Sequence, residues 1–104
     1  SKISRQYILI LIKIFMKIKL ELYGASREFS KKDYLEFSLK EKSSINDLRN
    51  EILSFIDKNF KGNNNFKKLV ESSKFCSEQN NIVADSYKIT KDQKIGIIPP
   101  IGGG

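Results

Sequence analysis

The organising stretch of this chain is Ile95-Gly-Ile-Ile-Pro-Pro-Ile-Gly-Gly-Gly104, a short apolar run followed by two prolines and three glycines. The apolar run predicts a β-strand over Ile95–Ile98. Pro99 and Pro100 have fixed φ angles and cannot donate hydrogen bonds to a sheet, so this strand is predicted to end at Ile98. The six residues that follow form a tail that leaves the folded body.

The tail combines a stiff beginning with an unhindered end. Paired prolines favour an extended rod, which reduces the entropy that a tail loses on binding. The segment from Pro99 to Gly104 spans roughly 20 Å when extended. Gly102, Gly103 and Gly104 lack a Cβ atom and fit a channel that is too narrow for other residues. We therefore expect delivery of a free Gly104 carboxylate into a partner's active site; the alternative is a frayed glycine end.

Composition indicates one globular domain and excludes several kinds of catalysis. The 104 residues are 39% hydrophobic and 30% charged, as in soluble domains. There is no histidine, which excludes Ser–His and Cys–His catalysis and a zinc site of cysteine and histidine ligands. A single cysteine excludes an internal disulfide. This cysteine usage fits a reducing cytosol, so we expect a cytoplasmic protein.

The net charge of +7 raises nucleic acid as a partner. The positive charge is nearly all lysine, scattered singly and in pairs, and only three arginines are present: Arg5, Arg27 and Arg49. Asparagine and isoleucine are also used heavily, which indicates a general compositional bias and a solvated lysine surface. We therefore expect no nucleic-acid partner.

The first residues, Ser1–Phe15, superficially resemble a signal peptide, since basic residues precede the apolar run Tyr7–Ile12. However, Lys13 ends this run, no small-residue cleavage site follows, and the run is too short to span a membrane. We predict three segments: an N-terminal extension at 1–15 that is not part of the functional protein, a folded domain at 16–98 and a tail at 99–104. We also expect no membrane partner. Alternatively, the extension lengthens the first strand, because its isoleucines keep that strand's alternation.

Periodicity predicts two strands and then a helix. Met16–Tyr23 alternates apolar and charged residues, and a second alternating run covers 35–39, so the two are expected to form an antiparallel hairpin with a long loop. Ser44 and Asp47 have the spacing of a capping box, and helical spacing of apolar residues continues to about Phe60. Gly62 is a plausible stop.

The second half of the chain is predicted to add short elements. We expect a polar loop at 63–65, one more helical turn at Phe66–Glu71, and strands at Lys74–Ser77 and Ile82–Val83. A polar connection at 85–94, anchored by Tyr87 and Ile89, then leads to the last strand. The order β-β-α-β-β-β predicts an α+β fold, in which a mixed sheet packs on one main helix and a flexible C-terminal tail follows.

Chain length, element order and Ile97-Ile-Pro-Pro-Ile-Gly-Gly-Gly104 together resemble the sulfur-carrier branch of the ubiquitin-like β-grasp proteins, and most of all the molybdopterin synthase small subunits. Those subunits are characterised by a Pro-Pro-x-x-Gly-Gly ending. Met16-Lys-Ile-Lys-Leu20 and Arg27-Glu28 are also similar to the family. There are two departures: Gly102 stands where serine or alanine is common, and the region 61–68 is longer than usual.

The resemblance implies a mechanism of sulfur transfer. A partner adenylating enzyme would use ATP in trans to activate the Gly104 carboxylate, and a persulfide donor would convert the acyl-adenylate to a thiocarboxylate. The tail, Pro99, Pro100, Ile101, Gly102 and Gly103, would then enter the large subunit of a heterotetrameric synthase. There the sulfur would pass to a cyclic pterin precursor in molybdenum cofactor biosynthesis. Catalytic side chains are expected on the large subunit, and no bound cofactor or metal is expected here.

Several alternatives stay open at this point. The chain could be a sulfur carrier for thiamine or tRNA thiolation, a ubiquitin-like modifier, or a plain binding module with a disordered end. Cys76 is expected to be a small core residue, with a sulfur-relay role as the alternative. Arg27 is expected to be a solvated loop charge, with a partner contact as the alternative. Exposed apolar residues on the sheet face are expected to form the docking surface, but their identity depends on the strand register.

Overall fold

The computed structural model describes residues 14–101, and the period-two pattern of the first strand organises them. Strand β1 covers Phe15–Leu22, and every second residue of it is buried. It pairs antiparallel with β2, Tyr34–Lys40, in a register that places Ile18 opposite Phe37. This confirms the predicted hairpin. Its loop contains a 3-10 helix at Gly24–Phe29, which the sequence had indicated only as a loop.

Five strands form one mixed sheet in the order β2-β1-β5-β3-β4. Strand β3 is Lys74–Cys76, β4 is Ile82–Val83 and β5 is Gln93–Ile98. β5 lies in the middle, where it runs parallel to β1 and antiparallel to β3. It begins two residues earlier than predicted, because Gln93 and Lys94 pair with β1.

Helix α1, Ile45–Phe60, covers one face of the sheet, as the sequence predicts. Its start is held by the capping box: the Asp47 amide donates to Ser44 Oγ at 3.2 Å, and the Ser44 amide donates to Asp47 Oδ2 at 2.8 Å. The Ser44 hydroxyl also donates to Asp47 Oδ2 at 3.1 Å, and the hydrogen bonds from the Ser44 amide and hydroxyl depress the pKa of the Asp47 carboxyl. Lys61 then ends the helix in the left-handed conformation, with φ of 52°. The face between helix and sheet holds the core: Met16, Ile18, Leu20, Leu22, Phe29, Leu39, Ile45, Leu48, Ile52, Ile56, Val70, Phe75, Ile89, Ile95 and Ile97.

A second helix, α2, covers Asn64–Ser72 and is longer than the single turn predicted for 66–71. The prediction of a polar loop at 63–65 was therefore wrong. Asn63 is the N-cap, since its side-chain Oδ1 accepts a hydrogen bond from the Phe66 amide at 3.1 Å, and Asn64 and Asn65 belong to the first turn. Asparagine is a favoured N-cap residue, so an asparagine run signals a helix start as readily as a loop.

The Arg49 side chain ties α1 to the second half of the chain. Its Nη1 donates to the carbonyl oxygens of Val70 at 2.7 Å and Ser73 at 2.8 Å, at the end of α2. Its Nη2 lies 2.7 Å from Asp85 Oδ1, and its guanidinium lies 4.9 Å from the Phe75 ring centroid. One arginine therefore adds charge-assisted hydrogen bonds to carbonyl oxygens at the end of α2.

The connection before β5 is anchored partly as predicted. Ile89 is fully buried, whereas the Tyr87 ring is exposed. Tyr87 contributes through its backbone instead: its carbonyl oxygen accepts a hydrogen bond from the Ile45 amide at 3.0 Å.

The predictions for residues 1–13 and 102–104 lie outside the described residues. No helix within residues 14–101 has the length and apolar character needed to cross a lipid bilayer.

Candidate functional site

The root of the tail is set by the middle strand of the sheet. Ile97 pairs with Leu22 of β1 on one side and with Phe75 of β3 on the other, and Ile98 pairs with Lys74. The strand ends at Ile98, as predicted from the prolines that follow. Strand β5 is therefore paired on both sides as far as Ile97, and on the β3 side as far as Ile98, where the tail begins.

The first tail residues become more exposed along the chain. Pro99 is half-buried, Pro100 is exposed and Ile101 is fully exposed. The Pro99 ring lies beside the start of the 3-10 helix, where a Cβ atom placed on Gly24 would be 3.8 Å from Cγ and Cδ of Pro99. The structure thus supports the root of the predicted tail and leaves its next residues uncovered. Gly102, Gly103 and Gly104 lie outside the described residues.

The sheet face that α1 does not cover carries an apolar patch next to this root. It consists of Tyr23, Cys76, Ile82 and Ile98, and we call it the open-face patch. Tyr23 is 42%, Ile82 57% and Ile98 36% exposed, while Cys76 is half-buried. The register places them together, because Cys76 pairs with Ile82 on one side and Gly96 on the other. The expectation that Cys76 belongs to the core was wrong, since Phe75 takes that side of β3.

Gly96 forms the floor of the open-face patch. A Cβ atom at this position would lie 2.8 Å from Cys76 Sγ and 2.9 Å from Tyr23 Cε2, closer than side-chain carbons approach each other. Without a Cβ, the strand lets the thiol and the tyrosine ring close over its backbone. The glycine inside this strand was recognisable in the sequence, but its packing role was not.

The groups around the patch raise the pKa of its tyrosine and carry charges of both signs. The carboxylate of Glu21, burial and the Cys76 side chain, in decreasing order, raise the pKa of the Tyr23 phenol above its ordinary value of 10.0, while Arg27 opposes them. Tyr23 therefore keeps its O–H donor at neutral pH. Lys74 and Lys94 are exposed at neighbouring open-face positions, and Lys19 lies beside Lys94. Carboxylates lie among these lysines, since Glu36 pairs with Lys19 and Glu78 Oε2 accepts a hydrogen bond from the Lys94 amide at 3.1 Å. Arg27 is exposed in the 3-10 helix.

Among residues 14–101, no group of three or more histidine, cysteine, aspartate or glutamate side chains is placed to hold a metal ion. What the arrangement can offer is a rigid exit for the tail with an apolar surface beside it.

Known structures share this architecture. A Pyrococcus furiosus protein assigned provisionally as molybdopterin converting factor, subunit 1, is 20% identical, with a TM-score of 0.60 over 83% of this chain and 99% of its own. The ubiquitin of Caldiarchaeum subterraneum is 16% identical, with a TM-score of 0.55 over 86% and 99% of the two chains. SAMP1 from Haloferax volcanii is 11% identical, with a TM-score of 0.60 over 85% and 99%.

The chain has the ubiquitin-like β-grasp fold. The α+β class and the mixed sheet on one main helix, both expected from the sequence, are confirmed. At these identities the similarity establishes the fold and not the activity. No family model matches the sequence, and no curated protein matches it. Within the β-grasp fold, this chain is distinguished by the tail root and the open-face patch beside it.

Proposed function

We propose that this β-grasp protein is a sulfur carrier, and specifically the small subunit of a molybdopterin synthase. The observation that carries the proposal is the passage of the central strand β5 into half-buried Pro99 and then exposed Pro100 and Ile101, followed in sequence by three glycines. A stiff, solvent-exposed root presents the terminus with little loss of entropy on binding. The provisional assignment of the Pyrococcus furiosus protein, which shares this fold, supports the same function.

The proposed chemistry takes place at Gly104. In the carrier cycle, the terminal carboxylate attacks the α-phosphate of ATP on a separate adenylating enzyme, and pyrophosphate leaves. The outer sulfur of a persulfide on the donor protein then displaces AMP from the acyl-adenylate, which gives an acyl disulfide between Gly104 and the donor. A second thiol attacks the donor's own sulfur, so that a disulfide forms on the donor side and the thiocarboxylate is released. Gly102 and Gly103 allow the terminus to pass through a narrow entrance, because neither residue has a Cβ atom. This chain supplies the reactive terminus, and its partners supply the side chains that catalyse each step.

The thiocarboxylate would be used inside a cytoplasmic heterotetramer with the large synthase subunit. Pro99, Pro100 and Ile101 would line its entrance, and the sulfur would pass to a cyclic pterin precursor. Once the sulfur is transferred, hydrolysis returns Gly104 to a carboxylate, so the carrier can be activated again.

A second candidate is a carrier for another thiolation pathway or a ubiquitin-like protein modifier. The observation in its favour is that the chain resembles the Caldiarchaeum ubiquitin and SAMP1 about as well as it resembles the Pyrococcus protein. A modifier would use the same adenylation but would end in an amide bond between Gly104 and a lysine amine of another protein.

The test is intact-mass spectrometry of the protein after incubation with the source organism's adenylating enzyme, ATP and a persulfide donor. We expect one oxygen-to-sulfur exchange, which tandem spectrometry places on Gly104. Deletion of Gly103 and Gly104 abolishes the exchange without lowering the unfolding temperature. A Cys76→Ser variant is the matched control, because it removes the only thiol and keeps the terminus. The exchange should survive in this variant.

The pathway is then decided by adding the large synthase subunit and the pterin precursor. Consumption of the thiocarboxylate with formation of a dithiolene product supports the synthase assignment. Lysine-linked conjugates in place of that product support the modifier. If an adenylating enzyme that is active on its own substrate produces no oxygen-to-sulfur exchange in this protein, the carrier proposal is wrong. Intact-mass spectra of the protein from native cells show separately whether Gly104 is the natural terminus.

A further inference from the structure

The sheet has one long edge strand. β2 is the outermost strand on its side and has seven residues, and no strand within residues 14–101 lies beyond it. The strand at the other edge, β4, has only two residues. A long edge strand presents a row of backbone groups to which a further strand can add. The residues of β2 decide which strand fits there.

The outward backbone groups belong to alternate residues of β2. The Leu22 amide donates to the Asp33 carbonyl oxygen at 2.9 Å, and the Glu41 amide donates to the Ile14 carbonyl oxygen at 2.9 Å. Odd-numbered residues therefore direct their N–H and C=O groups toward β1, and even-numbered residues direct theirs outward. The outward residues are Tyr34, Glu36, Ser38 and Lys40.

The charges of these outward residues are self-complementary. If a second copy of β2 lies antiparallel with its Ser38 opposite Ser38 of the first, Glu36 of each copy faces Lys40 of the other. Both side chains are exposed on the open face. Opposite charges that face each other across an antiparallel pair stabilise the pairing. The symmetric arrangement forms this ion pair twice.

Other symmetric registers fit less well. A pair centred on Glu36 or on Lys40 brings like charges directly opposite each other, which destabilises a strand pair. A pair centred on Phe37 places Glu36 opposite Ser38 and forms no ion pair. Charges on an edge strand usually keep other strands away. Here a change of sign across Ser38 makes one self-pairing register favourable.

The helix-covered face of β2 gains apolar contact in the same register. Phe37 is half-buried, and its ring packs edge-on against Phe55, with the ring centroids 6.1 Å apart. Phe37 would lie opposite Leu39 of the second copy in a non-hydrogen-bonded pair, where side chains approach most closely. Both faces of the strand therefore support the register centred on Ser38.

The backbone can complete this ladder. The two Ser38 residues would exchange two hydrogen bonds, and each Lys40 amide would donate to the Glu36 carbonyl oxygen of the other copy. The Lys40 carbonyl oxygen already accepts a hydrogen bond from the Ser43 amide at 3.1 Å. Its second lone pair is available for the Glu36 amide of the other copy.

We propose that this protein forms a twofold-symmetric dimer through β2, with a second copy of the chain as the partner. Two five-stranded sheets would join into one sheet of ten strands centred on Ser38. β1 separates β2 from β5, and the tail leaves at the end of the sheet where β2 begins. The two tails therefore leave from opposite ends of the joined sheet, and neither tail root lies in the dimer interface.

The experiment is sedimentation equilibrium of the full chain between about 10 µM and about 1 mM, a range suited to a small, reversible interface. We expect a monomer–dimer equilibrium. Glu36→Lys and Lys40→Glu should each raise the dissociation constant at least about tenfold, because each turns both ion pairs into like-charge pairs. Lys94→Glu is the matched control, since Lys94 is exposed on the open face two strands away from β2. It should change the dissociation constant by less than about twofold.

Restoring the ion pairs should restore the dimer. The double variant Glu36→Lys/Lys40→Glu reverses both charges, so it should dimerise about as tightly as wild type. An equimolar mixture of the two single variants should form a heterodimer, because lysines of one variant then face glutamates of the other. General charge repulsion predicts a different result: the net charge of +7 rises in one single variant and falls in the other, so only one would weaken the dimer.

Amide hydrogen exchange measured by NMR locates the interface. The amides of Glu36, Ser38 and Lys40 should exchange more slowly as the protein concentration rises, while the Phe37 amide stays protected by β1 at every concentration. Ser38→Pro removes the outward N–H group at the centre and leaves the pairing with β1 intact, as edge strands allow. This variant should be monomeric and folded, which thermal unfolding checks.

Several results would overturn the dimer. One is a protein that stays monomeric up to about 1 mM. Another is a dimer that neither single charge reversal weakens, or one in which the amides of Glu36, Ser38 and Lys40 exchange at the rate of the monomer. The inference does not rest on the carrier function. Sulfur exchange at Gly104 tests that function separately, and we expect it to be the same in the monomeric Ser38→Pro variant as in wild type.

Discussion

The two faces of strand β5 differ in what covers them. Ile95 and Ile97 point to the helix-covered face and are 1% and 0% exposed. Gly96 and Ile98 lie on the open face, which no helix covers: Ile98 is 36% exposed beside the tail, whereas Gly96 is buried beneath Tyr23 and Cys76. Because strand side chains alternate between faces, neighbouring residues can lie in different environments, one in the core and the next at the surface. The difference predicts that substitutions one residue apart have separate effects.

The largest contrast is expected between Ile97→Ala and Ile98→Ala. Ile97→Ala leaves a cavity in the core and should cost about 2–5 kcal/mol of unfolding free energy. Ile98→Ala removes a partly exposed side chain and should cost less than about 1 kcal/mol. Urea unfolding of the two variants measures the loss of unfolding free energy. The slope of that free energy against urea concentration should be equal in both, which shows that their unfolded states are comparable. Equal losses of stability would contradict the division between the faces.

Gly96→Ala sharpens the comparison, because it adds one carbon to the open face. The new Cβ would meet Cys76 Sγ and Tyr23 Cε2, and overpacking of this kind costs about 1–3 kcal/mol. Combining it with Cys76→Ala removes the sulfur and should recover part of the loss, because the exposed Tyr23 ring can swing outward. A double-mutant cycle in thermal or urea unfolding measures this coupling. Additive losses would show that the thiol does not limit the space above Gly96.

The smallest effect concerns the titration of Tyr23 on the open face. Its pKa is raised mainly by the Glu21 carboxylate, so the folded state keeps the phenolic proton longer than the unfolded state. The contribution to stability is therefore complete below pH 10 and is lost as pH rises through the folded pKa. NMR titration of the Tyr23 ring should show that Glu21→Gln moves the pKa down toward 10, while the Tyr87 ring serves as the internal control. An unchanged Tyr23 titration would assign the shift to burial instead.

Residues that act through local rules were predictable from the sequence. The alternation in β1 and β2, the capping box at Ser44 and Asp47, and the end of β5 before Pro99 each depend on neighbours only a few positions away. The fold class followed from the order of these elements. Asn63 shows the limit of local rules, since the same residue type favours a loop and a helix cap.

Contacts between distant segments could not be predicted in this way. Arg49 carried no sequence signal for its hydrogen bonds to the end of α2, because those carbonyls become neighbours only after α1 and α2 pack together. Cys76 was misplaced in the core for a related reason. Its residue type favours burial, but the pairing of Phe75 with Ile97 turns Cys76 to the other face.

The sequence by itself determined β1, β2, α1 and the end of β5, together with the stiff start of the tail and the glycines that follow it, because proline, glycine and periodicity act within a few residues. Only the tertiary structure decided which side chains stand beside the tail. Tyr23, Cys76, Ile82 and Ile98 come from four separate segments, and they meet because β5 enters the middle of the sheet between β1 and β3. Strand register is set by non-local pairing and by burial of one face, so the open face is defined only once the core has formed.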